Sequence, residues 1–100
     1  MIPRVHKTKR VESLILECVA EFLARESNRT SLITATDIQL TRDKRCATIS
    51  LSVLPDTESA KAVAFANRKA PGLYDFIRSR VRLRTIPRVR FVSESKEKSV

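Results

Sequence analysis

Apolar side chains in the first quarter of the chain recur at three- and four-residue intervals: Val11, Leu14, Ile15, Cys18, Val19, Phe22 and Leu23. That spacing lays one apolar stripe along a helix, predicted over residues 4–27. Glu21 stands four positions before Arg25, the favourable order for an ion pair on a helix face. Ser27 and Asn28 offer a stop, because Asn tolerates the left-handed conformation of a helix cap.

The period then changes to two. Residues 33–41 are rich in β-branched side chains, and residues 45–54 alternate strictly. Ala47, Ile49, Leu51 and Val53 share one face, while Cys46, Thr48, Ser50 and Ser52 share the other, the pattern of a half-buried strand. The link Thr41-Arg42-Asp43-Lys44 is short enough to make the two strands an antiparallel hairpin. Pro55 ends the second strand and leaves Asp56 or Thr57 as the cap of a second helix running to about Ala70. Ala60, Val63 and Ala64 are its expected buried stripe, and five alanines between positions 60 and 70 make it small-sided.

Ala70-Pro71-Gly72 interrupts that helix. Proline breaks the hydrogen-bond ladder, and Gly72, the single glycine, permits a bend or close approach that a Cβ would resist. A third helix with Leu73, Phe76, Ile77 and Val81 on one face follows, then a break at Ile86-Pro87. Residues 88–92 form a last short strand with Val89 and Phe91 inward. The order α-β-β-α-α-β in 100 residues implies one α+β domain over residues 1–92: a three-stranded sheet with helices packed on it, joined by a right-handed crossover. Residues 93–100, polar and aperiodic, read as a disordered tail.

Charge sharpens the picture. The net charge is +9, and it is unevenly spread. Residues 1–10 carry four basic side chains and no acid, and residues 68–90 carry eight against Asp75 alone, whereas residues 11–67 are slightly acidic. A surface charged only for solubility mixes its signs; concentrated positive charge repels itself and is relieved by a polyanion. The candidate nucleic-acid contacts are therefore Arg4, Lys7, Lys9 and Arg10 at the start, with Arg68, Lys69, Ala70 and Gly72 at the bend. Arg80, Arg82, Arg84, Arg88 and Arg90 complete them beyond the bend. A helix starting at Gly72 would aim free N–H groups at phosphate oxygens. Arg78 is expected to pair with Asp75, and the other arginines, spanning a helix end, a loop and a strand, fan into a patch.

Other chemistry finds little support. The two cysteines lie 28 positions apart in unrelated patterns, without the paired spacing of a metal site or disulfide framework. His6 lacks a carboxylate or thiol partner in sequence. No phosphate-binding loop, metal cluster or Ser/His/Asp set appears, so neither enzyme nor cofactor is expected. Five aromatics, of which Phe22, Phe76 and Phe91 fall on apolar faces, are too few for an exposed stacking sheet. No apolar run nears the roughly 18 residues that span a bilayer, and the charged N-terminus has no apolar segment of a secretory signal behind it. A cytoplasmic monomer is expected, its apolar residues being consumed by the core.

The element order, with Ala70-Pro71-Gly72 between the paired helices, resembles the ribosome-binding factor A family. There an Ala-x-Gly kink replaces the glycine-rich loop of a type II KH domain. The hairpin segments 37–43 and 47–52 match that family's pattern. Leu83, Arg84, Pro87 and Phe91 fall at the spacing of its closing Leu-Arg-x-x-Pro-x-x-x-Phe. The acids that follow the final Phe in many members are reduced here to Glu94, and the longer C-terminal extension is not seen. The resemblance covers residues 4–92. It implies a KH-like fold, binding to the small (30S) ribosomal subunit and its 16S rRNA precursor, and a part in late rRNA maturation. Two other readings of the same residues are a DNA-binding regulator using a helix-turn-helix-like pair, and a module whose basic surface meets an acidic protein.

Overall fold

A computed structural model describes residues 3–27 and 31–94, with side chains from residue 10 onward. Helix α1 spans Pro3–Glu26, strand β1 Leu32–Leu40 and strand β2 Cys46–Leu54. A single 3-10 turn, Asp56–Glu58, leads into helix α2, Ser59–Arg68; helix α3 is Ala70–Arg80 and strand β3 Arg88–Ser93. The predicted order stands. Strand β3 runs through Ser93, one residue into the expected tail, and residues 95–100 lie outside the described residues, as do the Asn28 cap and the side chain of His6.

The sheet order is β1-β2-β3, with β1 antiparallel and β3 parallel to the central β2. The alternation of β2 is obeyed: Ala47, Ile49, Leu51 and Val53 are buried against the helices. The opposite face is less open than its small polar residues suggest, for Ser50 is buried as well. Strand β1 changes parity midway. Ile33 and Ala35 face the core at odd positions, Ile38 and Leu40 at even ones. A bulge between Ala35 and Asp37 reconciles them, since one extra residue returns the following side chains to the same face. The extra residue, Thr36, donates its hydroxyl to the Ser50 carbonyl at 3.3 Å.

Helix α1 buries Ile15, Cys18, Val19, Phe22 and Leu23 on this sheet, as its spacing requires. Leu73 and Ile77 of α3 and Phe91 of β3 complete the core. Ile15, Ile49, Leu51, Leu73 and Ile77 are fully enclosed, so truncating any one to alanine would cost about 2–5 kcal/mol. Burial also pushes the Cys18 thiol above its ordinary value, which keeps it protonated and inert.

Three expectations fail locally. In α2 the buried residues are Ala62 and Ala66, with Val63 and Phe65 half-buried, while Ala60 and Ala64 face solvent. Alanines on every side give this helix little size contrast, so sequence alone does not orient it. Neither Asp56 nor Thr57 caps it with a side chain; the chain enters through the 3-10 turn, closed by the Glu58 N–H donating to the Pro55 carbonyl at 2.9 Å. Finally, Leu32 and Leu54, register partners at the open end of the hairpin, remain exposed. The core does not consume every large apolar side chain.

Candidate nucleic-acid interface

The bend is tighter than the sequence suggests. Pro71 has no N–H to offer the carbonyl of Asn67, four residues back, and its ring crowds that carbonyl, so α2 cannot run through. The break falls on Lys69 alone; Ala70, Pro71 and Gly72 are the first residues of α3 rather than a loop. Lys69 keeps near-helical angles (φ −88°, ψ −2°), and its carbonyl accepts the N–H of Leu73 at 3.0 Å. Gly72 does not adopt positive φ. A Cβ there would sit 3.5 Å from Cζ of Phe22, an ordinary contact. Gly72 is therefore needed neither for a left-handed bend nor for a close approach; it is exposed, and only its Cβ direction points toward Phe22 of α1.

The faces of α3 sort the basic residues. Lys69, Gly72, Phe76 and Arg80 lie toward α1. The guanidinium of Arg80 donates to both carboxylate oxygens of Glu21, at 2.9 and 2.8 Å, and lies 4.6 Å from the centre of the Phe76 ring. Phe22 packs on Phe76 with ring centres 5.4 Å apart, and Lys69 reaches Glu26 at 3.5 Å. Exposed pairs of this kind stabilise by about 1 kcal/mol or less, but a bidentate, ring-stacked guanidinium is well fixed in place. Arg80 is thus a clasp between α3 and α1, apart from the other arginines beyond the bend. The expected Glu21–Arg25 pair is absent because Glu21 serves Arg80; Arg25 lies over the outer part of the same Phe76 ring, 5.5 Å from its centre.

The opposite face of α3 carries Tyr74, Asp75 and Arg78. Two concavities meet at Tyr74. One is walled by Ala70, Pro71, Asp75, Arg88 and Val89; the other by Arg45, Arg78, Val81 and the segment from Arg82 to Ile86. The parallel pairing of β2 and β3 builds this pole. The Arg88 N–H donates to the Arg45 carbonyl at 2.8 Å, joining the hairpin turn to the start of β3. Residues distant in sequence thereby present Arg45, Arg78, Arg82, Arg84 and Arg88 together, all exposed. Among the described residues none of the five is in an ion pair, and the expected Asp75–Arg78 pair does not form.

The hairpin turn is rigidly built. Asp43 accepts the Thr41 hydroxyl at 2.7 Å and the Arg45 N–H at 3.1 Å, while Lys44 takes a left-handed conformation at φ 61°. The Thr41 hydroxyl, then the Arg45 N–H, hold the Asp43 carboxyl below its usual range.

The remaining candidates lie elsewhere. Arg68 lines a different groove with Lys61 and stands 6.0 Å from the centre of the Phe65 ring. Arg90, paired with Thr48, is on the open face of the sheet. Arg10 is exposed on α1, and the side chains of Arg4, Lys7 and Lys9 lie outside the described residues. Sequence reasoning missed Arg45, hidden in a segment whose charges nearly cancel, and Tyr74. Among the described residues no group of His, Cys, Asp and Glu could hold a metal ion, and no helix is long and apolar enough to cross a membrane.

A family model described as ribosome-binding factor A matches residues 7–100. A ribosome-binding factor A from Carboxydothermus hydrogenoformans is 35% identical over 92 residues, covering 89% of this chain and 74% of the relative. One from Cupriavidus necator is 32% identical over 88 residues, covering 86% and 71%. Among solved structures, ribosome-binding factor A from Thermus thermophilus superposes with a TM-score of 0.75 at 21% identity, covering 85% of this chain and 92% of that one. A putative ribosome binding factor A from Thermotoga maritima gives 0.72 at 28% identity, with 84% and 83% covered. A Thermus thermophilus model fitted into the cryo-EM map of a 30S complex gives 0.71 at 21% identity, with 83% and 90% covered.

Proposed function

Because this chain belongs to the ribosome-binding factor A family, we propose that it is a non-catalytic assembly factor acting on the small ribosomal subunit. It binds the precursor of the 16S rRNA and supports the late maturation of that RNA, as a monomer in the cytoplasm. The partner is carried over from the Thermus thermophilus relative fitted into a 30S complex.

One observation carries the RNA reading: five exposed arginines from the hairpin, α3, the following loop and β3 line the two concavities that meet at Tyr74, and among the described residues none of them is in an ion pair. Guanidinium groups match phosphate geometry and stack on bases, and five of them outside any ion pair suit a surface that meets a polyanion. Arg82, Arg84 and Arg88 stand at the centre of this surface with Arg45 and Arg78. Ala70 forms part of its wall, and Arg10 and Arg90 are flanking cations, whereas Arg68 lies in the groove with Lys61 and Lys69 is paired with Glu26. Arg4, Lys7 and Lys9 add further positive charge near the start of the sequence.

Sedimentation of a lysate tests the reading. The chain should travel with free small subunits rather than with translating ribosomes, and increasing salt should release it. Recovery only in ribosome-free fractions at low salt would refute it.

A further inference from the structure

We propose that Tyr74 is a base-stacking residue, its ring receiving one unstacked nucleobase of single-stranded RNA between the two arginine-rimmed concavities that it separates. This rests on the RNA reading above and names the contact that reading lacks.

The aromatic residues of the described chain fall into two groups. Phe22 and Phe91 are buried; Phe65 and Phe76 are half-buried, and cations already lie against their rings. Tyr74 is 36% exposed, and among the described residues neither a ring nor a cation is stacked on it. The exposed part of its ring lies between the two concavities. The inward face of α3 is supplied by Leu73 and Ile77, and Tyr74 points the other way.

Its surroundings are those of a nucleotide site. Arg88 stands on one side and Arg45, Arg78 and Arg82 on the other, so the phosphates on both sides of a stacked base would meet guanidinium groups. Every base has a π-face, so stacking adds affinity without requiring one sequence, and an unpaired base in a loop or strand end is free to take it. Asp75, on the same rim, adds one acceptor for a base or ribose donor.

The experiment compares Tyr74→Ala, Tyr74→Phe and the natural chain for binding to a short single-stranded oligouridylate, to an abasic ribose-phosphate oligomer of equal length, and to isolated small subunits. Tyr74→Ala should bind oligouridylate roughly five- to a hundredfold more weakly. It should bind the abasic oligomer unchanged and keep its salt slope, since tyrosine releases no counterion. Tyr74→Phe should bind like the natural chain. Because the chain has no tryptophan, Tyr74→Trp adds a single reporter, quenched by oligouridylate and not by the abasic oligomer.

Equal losses on both oligomers, or none, would overturn the stacking role while leaving the arginine surface in place. So would a natural chain that binds small subunits yet does not distinguish oligouridylate from the abasic oligomer. A natural chain that binds neither RNA nor subunits would remove the RNA reading itself.

Discussion

The side-chain amide of Asn67 makes two hydrogen bonds with the backbone of Phe91: its Nδ2 donates to the carbonyl at 3.2 Å, and its Oδ1 accepts the N–H at 2.9 Å. Strand β3 is an edge strand, and these are the groups that Phe91 turns away from β2. One amide on α2 thus imitates a neighbouring strand at the site where an incoming chain would begin to pair. Replacing Asn67 by alanine removes two bonds worth roughly 0.5–1.5 kcal/mol each, so the urea midpoint should fall. The uncovered edge should also raise the rate of aggregation in light scattering. Asn67→Asp keeps the acceptor without the donor, and should fall between the two. An alanine variant as stable and as soluble as the natural chain would show that this contact does not protect the edge.

Gly72→Ala should stabilise the domain. The position is helical, its φ is negative, and the added Cβ meets Phe22 at an ordinary 3.5 Å. Replacing glycine in a helix is worth up to about 0.5–1 kcal/mol, a melting-temperature rise of a few degrees in a domain of this size. Affinity for small subunits should not change. A fall in stability would mean that α1 and α3 pack more tightly than the backbone shows.

Salt dependence locates the RNA surface. Removing one phosphate-binding cation should reduce the slope of log affinity against log salt by about 0.7 for a single strand. Converting Arg45, Arg82, Arg84 and Arg88 together to glutamine should therefore flatten the slope by roughly three. The melting curve should not change, because all four are exposed and none is in an ion pair among the described residues. Lys61→Gln, on α2 in the separate groove, is the control. Arg25 and Arg42 are poor controls: Arg25 packs on Phe76, and Arg42 shares the hairpin turn with Arg45. A control whose slope flattened as much as that of the quadruple variant would place the surface elsewhere.

Acid should loosen the hairpin turn first. The folded Asp43 carboxyl lies below its unfolded value, chiefly because it accepts the Thr41 hydroxyl. A carboxylate depressed in this way adds stability that is present above the unfolded value, near pH 4, and is lost as pH falls through the folded value. Asp43→Ala should be less stable than the natural chain at neutral pH and should converge with it in acid, followed by unfolding at stepped pH. Parallel curves at every pH would show that the turn does not depend on the ionised form.

The helices and strands were legible in the order of residues because periodicity is a local property. The spacing from Ile15 to Leu23 admits one buried face on a helix, and that from Ala47 to Val53 admits one on a strand. Pro71 forbids a continuous helix across the bend whatever surrounds it. The parity change from Ile33 and Ala35 to Ile38 and Leu40 also marked the bulge at Thr36, a signal present in the string that simple alternation passes over. The alanines of α2 carry no such signal, and packing against β2 and β3 chose Ala62 and Ala66. The residue pattern shared with ribosome-binding factor A was legible for the same local reason: it lies in short segments of fixed spacing.

Which charges act together follows from long-range packing. Arg80 sits in the most basic stretch of the chain, yet Glu21, 59 positions earlier, claims its guanidinium. Arg45 lies in a nearly neutral stretch, yet parallel pairing with β3 sets it beside Arg88. Tyr74 is one apolar residue beside Leu73 until the packing of α3 turns it outward between two groups of arginines. Charge counted along the chain reports how much positive potential exists. Where that potential is free to meet RNA depends on contacts between residues far apart in sequence, which no local pattern encodes.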